Sequence, residues 1–414
     1  MSSLKIGLVG IGGFGQVLLK YISRLQQEKR LILEAACDIQ LDKHIVNIRQ
    51  EPFSEIRTYR EYEAFLNAEQ QLDAIIIATP IPLHVEMGIR AMESGFNVML
   101  EKPPALTFQD IDRMIEVHRR TGKIFGVGFQ HTSETSFIKF CEEIKQGRIG
   151  KIRAITATGL WKRTHGYFTR SPWVGKLMVE GRYVLDGTIN NPFSHLLMNC
   201  LVLAGLESGA EVLPLSVQAE LYRANAIEGE DTSCLRAVMD NGLEIFFCTS
   251  ICARENAIPC IKVYGDEGWV CWDYDGWIRY GKAGAVTCQD EFKIDCDRRY
   301  DHLLNFVQYL RQETPHLSCS LEATRKFVLT ANLAFESAGL SIPVAGRFVE
   351  MKNASGQPID ELKAADDYLC IKGIEQILEQ SFTSRKMFSE LEVEWAEKRN
   401  PVFAAGYQGF KLFR

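Results

Sequence analysis

Near the start of the chain, Gly10-x-Gly12-x-x-Gly15 and a later carboxylate, Asp38, are spaced to hold a nucleotide. Glycine permits a tight turn at Gly10, close approach of a phosphate at Gly12, and close packing of a helix on a strand at Gly15. Backbone N–H groups of such a turn, here running through Gly13 and Phe14, face outward at a helix start, where the partial positive charge favours a pyrophosphate. An acid about 20 residues beyond the glycines is placed to accept from both hydroxyls of an adenosine ribose. Asp38 would also repel the additional phosphate of NADP, so NAD is the expected cofactor.

These groups need a strand before the turn and a helix after it. Ile6, Leu8 and Val9 supply the apolar strand, and Val17, Leu18, Leu19, Tyr21 and Ile22 recur with helical spacing. A second apolar run, 31–37, ends at Asp38. A third, 72–78, is almost wholly apolar and ends in Thr79-Pro80-Ile81-Pro82, at the strand edge where cofactors lie in open α/β sheets. A fourth, 96–100, ends in Glu101-Lys102-Pro103, which sets Lys102 on that same edge. Strand–helix alternation from residue 4 to about 130 predicts a doubly wound parallel sheet, the α/β fold of a Rossmann domain, over 1–130.

The pattern then changes. Short runs at 152–160, 217–222, 235–239, 243–252, 261–264 and 269–272 are separated by hairpin signals such as Asp240-Asn241-Gly242 and Asp275-Gly276. They predict an α+β domain over 131–345, with an antiparallel sheet covered on one face and open on the other, and helices at 298–312 and 321–338. Residues 346–414 read as a C-terminal extension packing on that second domain.

Composition narrows the function classes. The 414 residues carry a net charge of −6 and a hydrophobic fraction of 46%, which favours neither nucleic acid nor an anionic membrane surface. No apolar run approaches the roughly 18 residues of a membrane span. The 12 cysteines are scattered without a C-x-x-C pair, so no metal site is expected. Free thiols, and a start that runs straight into a strand, lead to the expectation of a cytoplasmic protein.

With these residues assembled, the chain resembles the Gfo/Idh/MocA family, the relatives of glucose–fructose oxidoreductase and inositol dehydrogenase. The resemblance rests on the glycine turn, Ala78-Thr79-Pro80 with His84, Glu101-Lys102-Pro103, the Gly147-x-x-Gly150 turn, and Tyr300, Asn305, Phe306 and Glu336 in late helices. It implies NAD(P)-linked oxidation or reduction of sugars, cyclitols or their derivatives, and dimers or tetramers joined through the open sheet face. It adds Thr79, Pro80, His84, Glu101 and Lys102 to the cofactor-binding candidates and gives Lys102 a catalytic role.

Hydride transfer from a carbinol needs a short donor–acceptor distance, a base for the hydroxyl proton and a group to hold charge on oxygen. Lys102 suits the last of these. The family's base region reads Asp-x-Gly-x-His; Asp186 matches its acid, but Asn190 stands at the histidine position and is no base. His195 is the nearest substitute. It lies on a predicted helix with Asn191 as N-cap, and Asn191, His195 and Asn199 share one face. The expected catalytic set is Lys102, Asp186 and His195, with Asn190 bonding the substrate. The preceding loop, dense in aromatics and cations, offers Trp161, Arg163 and Trp173 as a wall for a small polyhydroxylated substrate. Two other readings stand beside the dehydrogenase: a glycoside-cleaving enzyme that retains its NAD, and a non-catalytic NAD-binding protein.

Overall fold

A computed structural model describes residues 3–412 except 50, 51, 54 and 210, so the extreme ends of the predicted first domain and of the C-terminal extension lie outside the described residues. The chain forms two compact units.

Unit 1 comprises residues 1–105, 109–134 and 297–325. Its strands are β1 (Leu4–Val9), β2 (Leu31–Cys37), β3 (Arg57–Tyr59), β4 (Ala74–Ile77), β5 (Asn97–Leu100) and β6 (Phe125–Val127). They form one sheet in the order β3-β2-β1-β4-β5-β6 with every pairing parallel. All four residues of β4 are buried, as a strand covered on both faces requires. Helix α1 (Phe14–Gln27) follows the glycine turn and buries Leu18, Leu19, Tyr21, Ile22 and Leu25 against the sheet. Helix α2 (Leu41–Ile48) follows Asp38.

The helix Arg298–Leu310, grouped by sequence order with the second region, belongs to unit 1. Its apolar face, Tyr300, Leu303, Phe306 and Val307, joins the core made by β1, β2 and α1. The Tyr300 hydroxyl donates to Glu28 (2.5 Å), and the Arg24 guanidinium sits 3.5 Å from the Tyr300 ring centroid. The segment after it runs beside β6, where the Val127 N–H donates to the Cys319 carbonyl. Periodicity shows that this helix has an apolar face, but not which distant surface the face covers.

Unit 2 comprises residues 106–108, 135–296 and 326–414. Its strands are β7 (Ile152–Leu160), the short hairpin β8 (Met178–Val179) and β9 (Arg182–Tyr183), then β10 (Pro214–Arg223), β11 (Thr232–Met239), β12 (Glu244–Ser250), β13 (Cys260–Gly265), β14 (Gly268–Asp273), β15 (Trp277–Lys282), β16 (Asp290–Lys293), β17 (Ile342–Pro343), β18 (Val349–Lys352), β19 (Tyr368–Ile371) and β20 (Val402–Phe403). The large sheet runs β16-β15-β14-β13-β7-β12-β11-β10-β17, with β20 on β10. It is mixed, not purely antiparallel: β7 pairs β12 parallel along its centre, and β17 pairs β10 parallel.

One face packs on the helices Thr135–Lys145 and Ser194–Ala204, through contacts such as Phe137 on Trp272 and Phe193 beneath Gly159. The other face, expected to be open, is covered over β7 and β10–β12 by the C-terminal segment. Leu160, Tyr222, Cys234, Phe246 and Cys248 share a core with Ile374, Leu378, Phe388 and Trp395. A carboxylate on β10 ties that segment down: Glu220, fully buried, accepts from the Ser389 hydroxyl at 2.5 Å. Strand alternation identifies a face that must be covered, but not that the chain's own last residues cover it.

Candidate active site

Each glycine of the turn answers a physical demand. Gly10 has φ 88°, and a Cβ there would lie 2.7 Å from the Ala78 carbonyl oxygen. A Cβ on Gly15 would fall inside the Gly10 carbonyl oxygen, so helix α1 could not seat against the strand. Gly13, with φ 53°, is the residue before α1, and nothing approaches its side-chain position within 4 Å. At Gly12 the nearest atom to a notional Cβ is Nε2 of His44, at 2.7 Å. The turn is therefore approachable at Gly13, at the start of α1, as a cradle filled by a pyrophosphate must be, and these residues fit a dinucleotide.

Asp38 closes the cradle. Its Oδ2 accepts from the Ile11 N–H (2.7 Å) and the Gly12 N–H (3.2 Å), and its Oδ1 from the Gln40 N–H (2.7 Å). The carboxylate both braces the turn and stands half-buried at the end of β2, where a ribose would meet it.

The other strand ends are linked by a buried histidine. His84 is 1% exposed; Nε2 lies 2.8 Å from the Thr79 carbonyl oxygen and Nδ1 2.8 Å from that of Pro103. Burial pulls its pKa below the ordinary imidazole range, against the opposite pull of the two carbonyls. With both ring nitrogens engaged by backbone, His84 holds the loop after β4 to the loop after β5 instead of presenting a free nitrogen. Thr79 is half-buried and Pro80 exposed on that edge.

Glu101 and Lys102 follow β5, and the Lys102–Pro103 peptide is cis. The Lys102 N–H donates to the Glu101 carboxyl (3.3 Å), and that carboxyl packs on Gly128, where a Cβ would stand 2.9 Å away. Burial pushes Glu101 up to about 7, against the pull of Lys102 and Arg299. The Lys102 side chain is half-buried.

In unit 2, Asp186 is buried and held from two sides. Its Oδ2 accepts from the Gly175 N–H (2.7 Å) and its Oδ1 from the Asn191 amide (2.8 Å). Leu185 before it has φ 44°, a left-handed conformation that costs a residue with a Cβ roughly 1–2 kcal/mol. Asn190 is buried, and its amide donates to the Leu185 carbonyl (3.2 Å). The expected N-cap at Asn191 is corrected. The helix starts at Ser194, and the Asn191 amide serves Asp186 instead. His195 lies in the first turn and is half-buried; Asn199, one turn on, is fully buried.

Trp161 packs on Phe193 with centroids 4.4 Å apart and the rings tilted by 35°. The Arg163 guanidinium lies 4.6 Å from the Trp161 ring and 5.2 Å from that of Tyr167. Arg170 lies 3.8 Å from Tyr167 and 5.8 Å from Trp173. The aromatics and cations of this loop interleave; Trp161, Arg163, Tyr167 and Trp173 are half-buried and Arg170 is exposed. Beside them is a cleft of about 610 Å³, lined by His165, Thr169, Ser171, Lys176, Asn225 and Leu362 among others.

Sequence reading missed three groups. Glu230, fully buried, accepts from the Ile189 N–H (3.1 Å) and packs against Gly187, where any Cβ would collide with its carboxyl. Burial pushes it up to about 8, and the charges of Asp186 and Asp231 push the same way. His44 and Arg299 are the others, both in unit 1. His44 sits six residues past Asp38, which could have drawn notice; nothing local marks Glu230 or Arg299.

Residues 4–129 match the family model described as an oxidoreductase family with an NAD-binding Rossmann fold. The chain is similar to the myo-inositol 2-dehydrogenase of Thermotoga maritima, 26% identical over 188 residues, which is 45% of this chain and 52% of that one. It is similar to the D-glucoside 3-dehydrogenase of Escherichia coli, 27% identical over 159 residues, 38% of this chain and 44% of that one. The matched stretches thus span about half the length of these relatives. Among solved structures, the WlbA dehydrogenase of Bordetella pertussis in complex with NADH and UDP-GlcNAcA superposes with a TM-score of 0.65 at 22% identity, over 83% of this chain and all of that one. At that identity the likeness shows the fold alone.

Proposed function

We propose that the chain, whose residues 4–129 match the oxidoreductase family with an NAD-binding Rossmann fold, is a Gfo/Idh/MocA-type, NAD-dependent enzyme moving a hydride between nicotinamide and a hydroxyl- or keto-bearing carbon of a sugar, cyclitol or derivative. The observation that carries this reading is the glycine cradle closed by Asp38. It offers backbone donors to a pyrophosphate and a carboxylate to an unphosphorylated ribose, which favours NAD over NADP. The named substrates of the inositol and glucoside dehydrogenases support a polyhydroxylated substrate.

NAD, when bound, supplies the hydride acceptor. Lys102, at the cofactor edge of the sheet, orients the substrate hydroxyl and holds charge on its oxygen as the proton leaves. Deprotonation falls to the Asp186–His195 segment, with the His195 imidazole as the base and Asp186 orienting its surroundings. Asn190, tied to the Leu185 carbonyl through its nitrogen, keeps an amide oxygen as acceptor. Trp161, Arg163 and Trp173 give ring faces and guanidinium donors for a sugar. Self-association through the sheet is proposed for β13–β15, the strip that the C-terminal core leaves aside.

The test is absorbance at 340 nm with the purified chain, NAD⁺ and a panel of inositols and glucosides. Steady NADH formation with at least one compound, abolished in Lys102→Met, is expected. Cleavage of a glycoside without net NADH would replace the reading with a glycosidase that retains its cofactor. Absence of both, despite tight NAD binding, would make the chain a binding protein.

A further inference from the structure

The cradle lacks local positive charge. Residues 10–15 contain no cation, and the first base in α1 is Lys20, two turns in and exposed. Two N–H groups of the turn already serve the Asp38 carboxylate, which adds a negative charge beside them. A dinucleotide pyrophosphate carries two further negative charges, while a helix N-terminus offers about half of one positive charge. On local residues alone the balance is unfavourable.

A cation arrives from far along the chain. Arg299 stands at the start of the helix Arg298–Leu310, which unit 1 recruits through the Tyr300, Leu303, Phe306 and Val307 face. The Arg299 guanidinium lies 6.0 Å from the ring centroid of Phe14, the first residue of α1. Its charge acts on the Glu101 carboxyl at the end of β5. Its Nε is buried with no hydrogen-bond partner among the described residues. A planar fork with an unspent donor, between the glycine turn and the strand edge that bears Lys102, has the chemistry of a phosphate ligand.

We propose that Arg299 is the cationic partner of the cofactor's pyrophosphate, placed at the glycine turn by a helix folded back from nearly 300 residues downstream. The proposal rests on the reading of unit 1 as an NAD site. It also gives the recruited helix a function beyond filling the core: the packing that buries Tyr300 fixes its neighbour at the cradle.

The experiment is fluorescence titration of the full chain with NADH, and competition by ADP-ribose, which keeps the pyrophosphate but lacks nicotinamide. Arg299→Met and Arg299→Lys are compared with the unsubstituted chain at 50 and 500 mM salt. Arg299→Met is expected to weaken both ligands at least roughly tenfold at low salt, the loss of one charge-assisted bidentate contact, and to flatten the salt dependence. Arg299→Lys is expected to restore part of the affinity and the salt slope. Wild-type affinity for ADP-ribose in Arg299→Met would overturn the inference, as would an unchanged salt slope, which would mark the loss as misfolding and not missing charge. An unsubstituted chain that binds neither ligand would overturn the NAD site itself.

Discussion

The glycine turn of unit 1 and the 186–195 segment of unit 2 both present polar groups at the junction of regular elements, yet opposite means hold them. In the turn, the constraint lies in backbone: Gly10 and Gly15 are required because any Cβ would strike a carbonyl, and Asp38 braces two N–H groups within a span of 27 residues. In the later segment, side chains from elsewhere hold the loop. The Gly175 N–H and the Asn191 amide fix Asp186, and Glu230 reaches across 41 residues to the Ile189 N–H. The first region keeps its turn approachable at Gly13, beside which nothing comes within 4 Å of the side-chain position. The second spends most of its polar groups internally and keeps two buried carboxyl groups, Asp186 and Glu230, in one electrostatic neighbourhood. A backbone cradle tolerates little change in residue type, whereas a side-chain network tolerates change that preserves shape and protonation.

The sharpest way to break this contrast is Gly15→Ala. The new methyl overlaps the Gly10 carbonyl oxygen, and overpacking of this kind costs about 1–3 kcal/mol or more. Because the strain falls on the cradle itself, NADH titration is expected to show at least a hundredfold loss; wild-type affinity would show that the backbone is not the constraint.

Next in size is Asp38→Ala. It removes a brace and a ribose acceptor together, and a loss of about tenfold in NADH affinity is expected, from roughly 1–1.5 kcal/mol of hydrogen bonding. NADPH, no longer facing a carboxylate, should gain relative to NADH. An unchanged NADH:NADPH ratio would remove Asp38 from the selectivity argument.

Glu230→Gln sharpens the other side. Glu230 titrates at about 8 in the fold, above the ordinary carboxyl value near 4.3 of an unfolded chain. A raised acid favours the fold while protonated, so that contribution is complete at low pH and is lost as pH rises toward and through 8. Glutamine keeps the shape without titrating. Melting curves are therefore expected to show the variant gaining on the unsubstituted chain between pH 5 and 9, by roughly 2–4 °C for each 1 kcal/mol lost from the latter. Parallel curves would mean that Glu230 is not held protonated.

The smallest effect is expected from His44→Ala. The imidazole stands 2.7 Å from the notional Gly12 Cβ, and a two- to fivefold change in NADH affinity matches one partly exposed contact of about 0.5–1 kcal/mol. A shift beyond twentyfold in the same titration would move His44 into the first rank of cofactor contacts.

Legibility in the sequence follows the same division. The parallel sheet, the turn and the Lys102 edge could be read because apolar runs, glycine spacing and strand-end prolines are local signals. The mixed order of the large sheet could not, since β7 pairs parallel with β12 some 90 residues later, in register Ala154 to Glu244. The Asn191 cap misled because its amide had a better partner in Asp186. Arg299 and Glu230 carried no motif; each matters through what the fold sets beside it. Residues 346–414 read as an extension packing on the second domain, but their amphipathic stretches do not say which strands they cover, such as β10, where Trp395 lies 4.8 Å from Tyr222.

Isothermal titration of the 414-residue chain with NAD⁺ and NADP⁺ tests the central claim most directly. One site per chain, with NAD⁺ bound at least tenfold more tightly than NADP⁺, is the predicted result. No heat with either nucleotide, or tighter binding of NADP⁺ despite Asp38, would contradict it.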